Sequence, residues 1–167
     1  MISVPQNAVP IDESEGEDRT IEVQIWKAVM DIHGSVLNRL NRVMTNDFGI
    51  TLAKFDVLAQ LQRAPDGLTQ GALSRQLKVT GGNVTGLTSR LATDGLITRE
   101  MSASDRRAFV VRLTARGADL YSAARIRHDA FLGQMFDGME RGDLRQALQS
   151  LQILGHQGAN NSESVET

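Results

Sequence analysis

The sequence has no cysteine among its 167 residues, only three prolines, and aromatic residues at only 4%. The absence of cysteine excludes disulfides, thiolate metal sites, iron–sulfur clusters and thiol-based redox sensing. No apolar run approaches the ~20 residues that a membrane-spanning helix needs, and the amino terminus lacks the pattern of a secretory signal. We therefore predict a soluble, cytoplasmic protein with one domain and appended helices, because domains usually take ~100 to 150 residues.

The net charge of −2 conceals an uneven distribution along the chain. Residues 1–25 carry six acids and one arginine, a local charge of −5, whereas residues 26–113 carry twelve basic and seven acidic residues, a local charge of +5. Residues 114–167 return to −2. The total charge argues against a nucleic-acid partner, but the basic centre is compatible with one.

The two ends of the chain differ from its middle. Residues 1–20, acidic and poor in large apolar groups, predict a disordered arm, and residues 156–167 predict a disordered tail. Apolar side chains at three- and four-residue spacing predict a long amphipathic helix within residues 21–48 and further amphipathic helices within residues 114–155.

Residues 49–113 predict short helices followed by a β-hairpin. Thr51 and Thr69 are expected to cap helices, and Gly95 is expected to end the helix that starts at Gly81. Residues 96–99 and 109–113 are β-prone and flank a polar stretch, which predicts a hairpin with a long tip. The predicted fold is mainly α with a small β-hairpin wing, a winged helix-turn-helix between long amino- and carboxy-terminal helices.

The helix that begins at Gly81 has the composition of a DNA groove reader. Asparagine pairs bidentately with adenine, hydroxyls bond base edges or phosphates, and free backbone amides at a helix start suit a phosphate. The candidate DNA-binding residues on this helix and its cap are Thr80, Gly82, Asn83, Thr85, Thr88, Ser89 and Arg90. Considered alone, a flexible turn followed by an ordinary solvated face is the simpler interpretation.

The hairpin tip favours the DNA-binding interpretation. Arg106 and Arg107 are adjacent on a polar loop, where an arginine can enter a narrow minor groove, and Asp105 can orient a guanidinium. The alternative is a solvated tip with one surface ion pair, which contributes little to stability.

Several motifs together resemble the MarR-type transcriptional regulators. They are Phe55-Asp56-Val57-Leu58, Asp66-Gly67-Leu68-Thr69, Leu73-Ser74, Val79-Thr80-Gly81-Gly82-Asn83-Val84-Thr85, Leu91, Gly95-Leu96-Ile97, Asp105-Arg106-Arg107 and Leu113-Thr114-Ala115-Arg116-Gly117. The resemblance covers about residues 25–154 and implies a homodimer on a pseudo-palindromic double-stranded DNA operator. The apolar stripes of residues 21–45 and 118–154 agree, because one small winged domain cannot bury them.

Members of this family usually release DNA when a small molecule, often an aromatic acid, binds where the dimer helices meet the winged domain. The resemblance implies that this junction is lined by Trp26, Met30, His33, Val36, Leu37, Phe55, Leu58 and Phe131, with Arg39 and Arg42 near it. For most of the apolar residues, packing in the core is the favoured alternative. Residues 33–42 also resemble the subset that controls hydroxycinnamate and related aromatic-acid catabolism, where the effector can be an aryl-CoA thioester.

Arg39 and Arg42 would then hold the CoA phosphates, since guanidinium groups suit phosphate. A solvated or dimer-bridging role for these two arginines, with partners such as Asp31 or Asp47, is an equally good interpretation.

The sequence offers little to an enzyme. His33, His128 and His156 are the only histidines and are not at metal-ligand spacing, and the chain has no P-loop, G-x-S-x-G or H-E-x-x-H motif. We predict a non-enzymatic regulator without cofactor or metal. The alternative is a winged-helix module that binds protein instead of DNA.

Overall fold

The computed structural model describes the backbone of residues 13–101 and 109–163, and the side-chain environment of residues 20–101 and 109–157. Its helices are α1 (Glu13–Phe48), α2 (Leu52–Gln62), α3 (Gln70–Leu77), α4 (Gly81–Thr93), α5 (Ala115–Met135) and α6 (Arg141–Glu163). Its strands are β1 (Leu68–Thr69), β2 (Ile97–Met101) and β3 (Phe109–Leu113). The predicted class, mainly α with a small β wing, is confirmed.

The chain divides into two compact units, residues 1–126 and 127–167. The first holds the winged helix-turn-helix, α1 and the first part of α5; the second holds the rest of α5 and α6. Along the described helices, none combines the length and the apolarity that crossing a bilayer requires.

Local caps define the helices of the first unit. The Thr51 side chain accepts a hydrogen bond from the Lys54 amide, and Thr69 does the same for Ala72. Thr114 Oγ1 accepts from the Gly117 amide at 3.0 Å at the start of α5. Gly95 lies just beyond α4 with a φ of 70°, the left-handed conformation that its position predicts.

The core of the first unit is mainly apolar and receives side chains from α1 to α5 and from the hairpin. Its largest fully buried side chains are Met44, Val57, Leu58, Leu61, Leu73, Val84, Thr88, Leu91 and Val111. Phe55 and Tyr121 stack with their ring centroids 5.4 Å apart, which joins α2 to α5. Burial of this set provides the stable base on which the exposed side of α4 is held.

The sheet has three antiparallel strands in the order β1-β3-β2. In the hairpin, Ile97 pairs with Leu113, Arg99 with Val111 and Met101 with Phe109. The sequence did not predict β1, because Leu68 and Thr69 form a two-residue strand whose pairing with Val111 and Val110 is a long-range contact.

Two predicted helix boundaries are corrected. Helix α1 begins at Glu13, ahead of the predicted start at residue 21, and residues 1–12 lie outside the described part. Glutamate and aspartate, frequent in residues 13–18, are favoured near a helix amino terminus by the helix dipole. Helix α6 runs to Glu163, beyond the predicted end at residue 155, because extending a helix adds one hydrogen bond per residue and no proline interrupts it.

Both long terminal helices carry large apolar side chains that the chain leaves exposed. On α1 these are Ile21, Val23, Ile25, Trp26, Met30, Ile32 and Leu37. On α6 these are Leu148, Leu151, Ile153 and Leu154. A single chain therefore leaves these side chains uncovered, although Leu40 and Met44 of the predicted α1 stripe are buried.

Candidate nucleic-acid interface

The turn between α3 and α4 is tightly built. Lys78 ends α3 in the left-handed conformation, with φ 54° and ψ 39°. The Ser74 hydroxyl donates to the Val79 carbonyl at 2.5 Å, and the Val79 amide donates back to the Ser74 carbonyl at 3.2 Å. These bonds fix the angle at which α4 leaves the turn.

Helix α4 is anchored by Val84, Thr88 and Leu91, which are fully buried. The prediction that Thr88 lies on the exposed face is wrong. Its hydroxyl is 2.9 Å from the Val84 carbonyl and also accepts a hydrogen bond from Gln70 Nε2 at 3.2 Å. A buried hydroxyl with both partners inside the protein joins α3 to α4 and cannot reach DNA.

The opposite side of α4 is polar and exposed. Apart from Thr88 and Ser89, every candidate DNA-binding residue of α4 and its cap is exposed as predicted. We call this surface the α4 polar face; it consists of Thr80, Gly82, Asn83, Thr85 and Arg90. Thr80 precedes the first turn without making a side-chain cap hydrogen bond. A Cβ built on Gly81 or Gly82 would meet no atom within 4 Å, so a phosphate can approach the backbone there.

Ser89 differs from its predicted exposed position. It is half-buried, and its Oγ accepts a hydrogen bond from Arg99 Nη1 at 3.0 Å. The structure therefore ties Ser89 to the hairpin.

The far end of α4 is held from behind by an ion pair. Lys54 Nζ lies 2.6 Å from Asp94 Oδ2, and the side chains are 15% and 43% exposed. A pair this close to solvent adds little to overall stability, but it joins α2 to the residue that ends α4.

The hairpin carries an ion pair on one face and mainly apolar side chains, with Arg99 among them, on the other. Arg112 Nη1 donates to Glu100 Oε2 at 2.8 Å across the two strands. Ile97, Arg99 and Met101 alternate onto the other face of β2, and the Arg99 guanidinium carbon lies 4.9 Å from the centre of the Phe109 ring. The predicted tip residues Asp105, Arg106 and Arg107 lie outside the described residues.

The predicted effector residues divide between surface and core. Trp26, Met30, His33, Arg39 and Arg42 are exposed on α1. Phe55 is buried against Tyr121, which is the core alternative that the sequence left open, and Phe131 is buried in the second unit.

None of these predicted effector residues lines either of two cavities in the chain. One, of about 520 Å³, lies in the second unit between the end of α5 and α6. The other, of about 280 Å³, lies where α2 ends and α5 begins. Across the described residues, no three His, Asp or Glu side chains group as metal ligands do.

Sequence reasoning missed Gln70, Lys54 and Arg99 as residues that position α4. Gln70 and Lys54 have no local signal, because their partners lie far along the chain. For Arg99 a signal existed: strand alternation puts it on the same face as the buried Ile97, and a charge on a core-facing position needs an explanation.

Comparison with known proteins agrees with this architecture. A family model described as MarR family matches residues 48–108. An HTH-type transcriptional regulator of Bacillus cereus is 28% identical over 146 residues, which cover 87% of this chain and 96% of the relative. The HTH-type transcriptional repressor YetL of Bacillus subtilis is 33% identical over 99 residues, 57% of each protein.

Solved structures extend the likeness over most of the chain. The crystal structure of a MarR family transcriptional regulator from Silicibacter pomeroyi matches with a TM-score of 0.72 at 34% identity, over 84% of this chain and 96% of that one. CouR from Rhodococcus jostii RHA1, bound to p-coumaroyl-CoA, matches with a TM-score of 0.67 at 23% identity, over 78% and 90%. The second match shows a shared fold alone.

Proposed function

This chain belongs to the MarR family of DNA-binding transcriptional regulators, and we propose that it is a homodimeric repressor that occupies a pseudo-palindromic operator until an aromatic effector releases it. The observation that carries the proposal is the α4 polar face, held rigidly outward by a buried apolar side. A preorganised polar helix of this kind is what major-groove reading requires.

The two ends of the α4 polar face would have different tasks. At the start, the Thr80 hydroxyl and the backbone amides at Gly82 would bind a phosphate, helped by the helix dipole. Asn83 and Thr85 would contact base edges, and Arg90, in the last turn, would contact the backbone farther along. The tip residues Asp105, Arg106 and Arg107 would contact the adjacent minor groove.

A second copy of the chain supplies the proposed dimer. Helices α1 and α6 each expose several large apolar side chains, and soluble monomers rarely expose so many on one element. Pairing of these helices between two copies would bury them and would present two α4 helices to successive major grooves.

The repressor assignment is supported by the similarity to YetL, a transcriptional repressor that matches this chain over 99 residues. Repression requires an operator that overlaps the promoter, since its occupation then blocks transcription without any further activity of the protein; an operator placed elsewhere would suit activation instead. Nothing beyond the DNA-binding surface and the dimer helices is needed for this function.

The test of this function is selection of preferred sites from fragmented DNA of the protein's own genome, at stated salt, with the purified protein. We expect enrichment of a pseudo-palindrome, and sedimentation of the complex as two chains on one site. A folded dimer that enriches no sequence would contradict the proposal and favour the winged-helix module that binds protein.

Replacing Asn83 by alanine should weaken operator binding by about 1 to 3 kcal/mol and relax sequence preference, because an amide that pairs with adenine discriminates between bases. The affinity for the selected operator and for single-base variants measures both effects. Thr93→Ala, near the carboxy-terminal end of α4, is the control and should change little. Equal weakening on every sequence would make Asn83 a phosphate contact instead.

For the effector we propose an aromatic acid or its CoA thioester, bound near α1. Trp26, Met30 and His33 offer an aromatic, an apolar and a polar group within two turns of one helix, and all are exposed in the single chain. CouR, which shares the fold, was crystallised with p-coumaroyl-CoA, so this thioester is the first effector to test. The ligand must bind the DNA-incompetent shape more tightly than the competent one, since equal affinity would shift neither population.

Arg39 and Arg42 lie about one turn apart on α1 and are both exposed, so we assign them to the CoA phosphates. Arg39→Ala combined with Arg42→Ala should abolish release of the operator by an aryl-CoA while operator affinity stays within twofold. Titration of p-coumaroyl-CoA into the labelled complex measures release. Lys27→Ala removes a cation from the same helix as a control. Release by free aromatic acids alone would refute the CoA assignment.

A further inference from the structure

Arg99 lies on β2, where the hairpin contacts α4. Its strand alternates so that Arg99 shares a face with the buried Ile97 and pairs across the hairpin with Val111, which is also buried. The three methylene groups of this side chain therefore lie along an apolar surface and end in a charged group. A guanidinium at such a position needs polar partners to offset the loss of water.

Two contacts hold the guanidinium, one on each side of the junction. Nη1 donates to Ser89 Oγ at 3.0 Å, and Ser89 belongs to α4. The guanidinium carbon lies 4.9 Å from the centre of the Phe109 ring, and Phe109 begins β3. Arg99 thus bridges the helix that carries the α4 polar face and the hairpin that carries the tip arginines.

The environment of Arg99 differs from that of a stabilising ion pair. Its Nε is shielded from solvent and has no hydrogen-bond partner among the described residues. The neighbouring carboxylate, that of Glu100, is paired with Arg112 on the other face of the hairpin. A buried donor left without a partner destabilises a fold, so the position of Arg99 calls for a reason other than stability.

We propose that Arg99 is a positioning residue that fixes the hairpin relative to α4, with Ser89 as its contact on the helix. This assignment rests on the proposed DNA-binding function. One rigid body formed by α4 and the hairpin meets the major and the adjacent minor groove together. Without the contact between Arg99 and Ser89, the hairpin becomes ordered only when DNA binds. The loss of conformational entropy at that step weakens the complex.

The role of Ser89 changes accordingly. Its hydroxyl accepts from Arg99, so Ser89 contributes to affinity by holding the hairpin and contributes no choice between bases. A change at Ser89 that keeps every charge therefore distinguishes positioning from direct contact. Ser89→Ala leaves the Arg99 charge in place and removes only the acceptor.

The experiment measures operator affinity for Ser89→Ala, Arg99→Lys and the double variant. We expect roughly fivefold weaker binding for Ser89→Ala, the usual scale of one lost hydrogen bond, and roughly tenfold for Arg99→Lys, which keeps the charge but loses the planar group. The double variant should bind no more weakly than Arg99→Lys, since both changes break one contact. Arg112→Lys, on the opposite face of the same strands, is the matched control and should stay within twofold.

Two results would overturn the proposal. One is wild-type affinity for Ser89→Ala; the other is wild-type affinity for Arg99→Lys together with a reduced salt dependence for Arg99→Gln, which would make Arg99 a direct phosphate contact. Thermal unfolding of each variant shows that affinity is compared between folded proteins.

A second measurement needs no DNA. Amide hydrogen exchange over residues 97–101 and 109–113 should be faster in free Ser89→Ala than in the wild type, and unchanged in Arg112→Lys. Unchanged exchange in Ser89→Ala would refute the bridge. If the wild type enriches no DNA sequence, the proposed function fails while this exchange result still decides whether Arg99 holds the hairpin.

Discussion

Replacing Gly117 by alanine should lower the free energy of unfolding of the first unit by more than about 3 kcal/mol, the scale of severe steric conflicts in a packed core. A Cβ at this position would lie 1.9 Å from the Leu96 carbonyl oxygen and 2.9 Å from its carbon. The same oxygen accepts the Thr114 amide at 3.1 Å, so the backbone before β2 is fixed against the first turn of α5. The added methyl group must separate the two segments, and chemical denaturation of the purified variant measures the loss.

Gly133→Ala is the control for this prediction. Gly133 lies in the same helix, and a Cβ there meets no atom within 4 Å. Alanine favours a helix over glycine by roughly 0.5 to 1 kcal/mol, so this variant should be as stable as the wild type or slightly more stable. A Gly117→Ala protein of wild-type stability would show that β2 and α5 are not in the contact described.

Reversing both tip arginines, Arg106→Glu with Arg107→Glu, should weaken operator binding at least roughly 100-fold and flatten its salt dependence. Each lost phosphate-neutralising contact lowers the slope of log affinity against log salt by about 0.9, so two arginines correspond to a change of about 2. The new carboxylates also meet the strong negative potential of a narrow minor groove. Affinity measured between 50 and 200 mM salt, a range over which such contacts change binding strongly, tests both effects.

Arg63→Glu with Arg116→Glu introduces the same charge change at exposed positions outside α4 and the hairpin. This control separates a local effect from the general effect of net charge, and should retain most of the wild-type affinity. Equal loss in the two double variants would mean that the tip makes no special contact. Unchanged affinity in the tip variant would remove Arg106 and Arg107 from the interface.

Local chemistry explains why much of the fold could be predicted from the sequence. Thr51, Thr69 and Thr114 cap helices through bonds to residues three positions on, and Gly95 ends α4 through its own backbone conformation. Features of this kind need no knowledge of distant residues. The helix-turn-helix, the hairpin and the two long terminal helices follow from them and from apolar spacing.

The features that sequence reasoning missed depend on distant partners. Thr88 is polar, yet it is fully buried because Gln70 and the Val84 carbonyl satisfy its hydroxyl. Two-residue strand β1 exists only because β3 lies beside it. For the candidate site, composition identified Asn83 and Arg90 on an exposed face, but only the contact with Arg99 distinguishes Ser89 from them.

The length of α1 has a thermodynamic consequence. The helix spans 36 residues, about 54 Å at 1.5 Å per residue, yet among its described side chains only Leu40 and Met44 are buried. A helix gains most of its stability in water from packing an apolar face. In the proposed dimer that packing comes from the second copy, so the ordering of α1 and association of the chains are a single equilibrium. The fraction of protein able to bind an operator would then rise with its own concentration, which gives the cell a threshold below which repression fails.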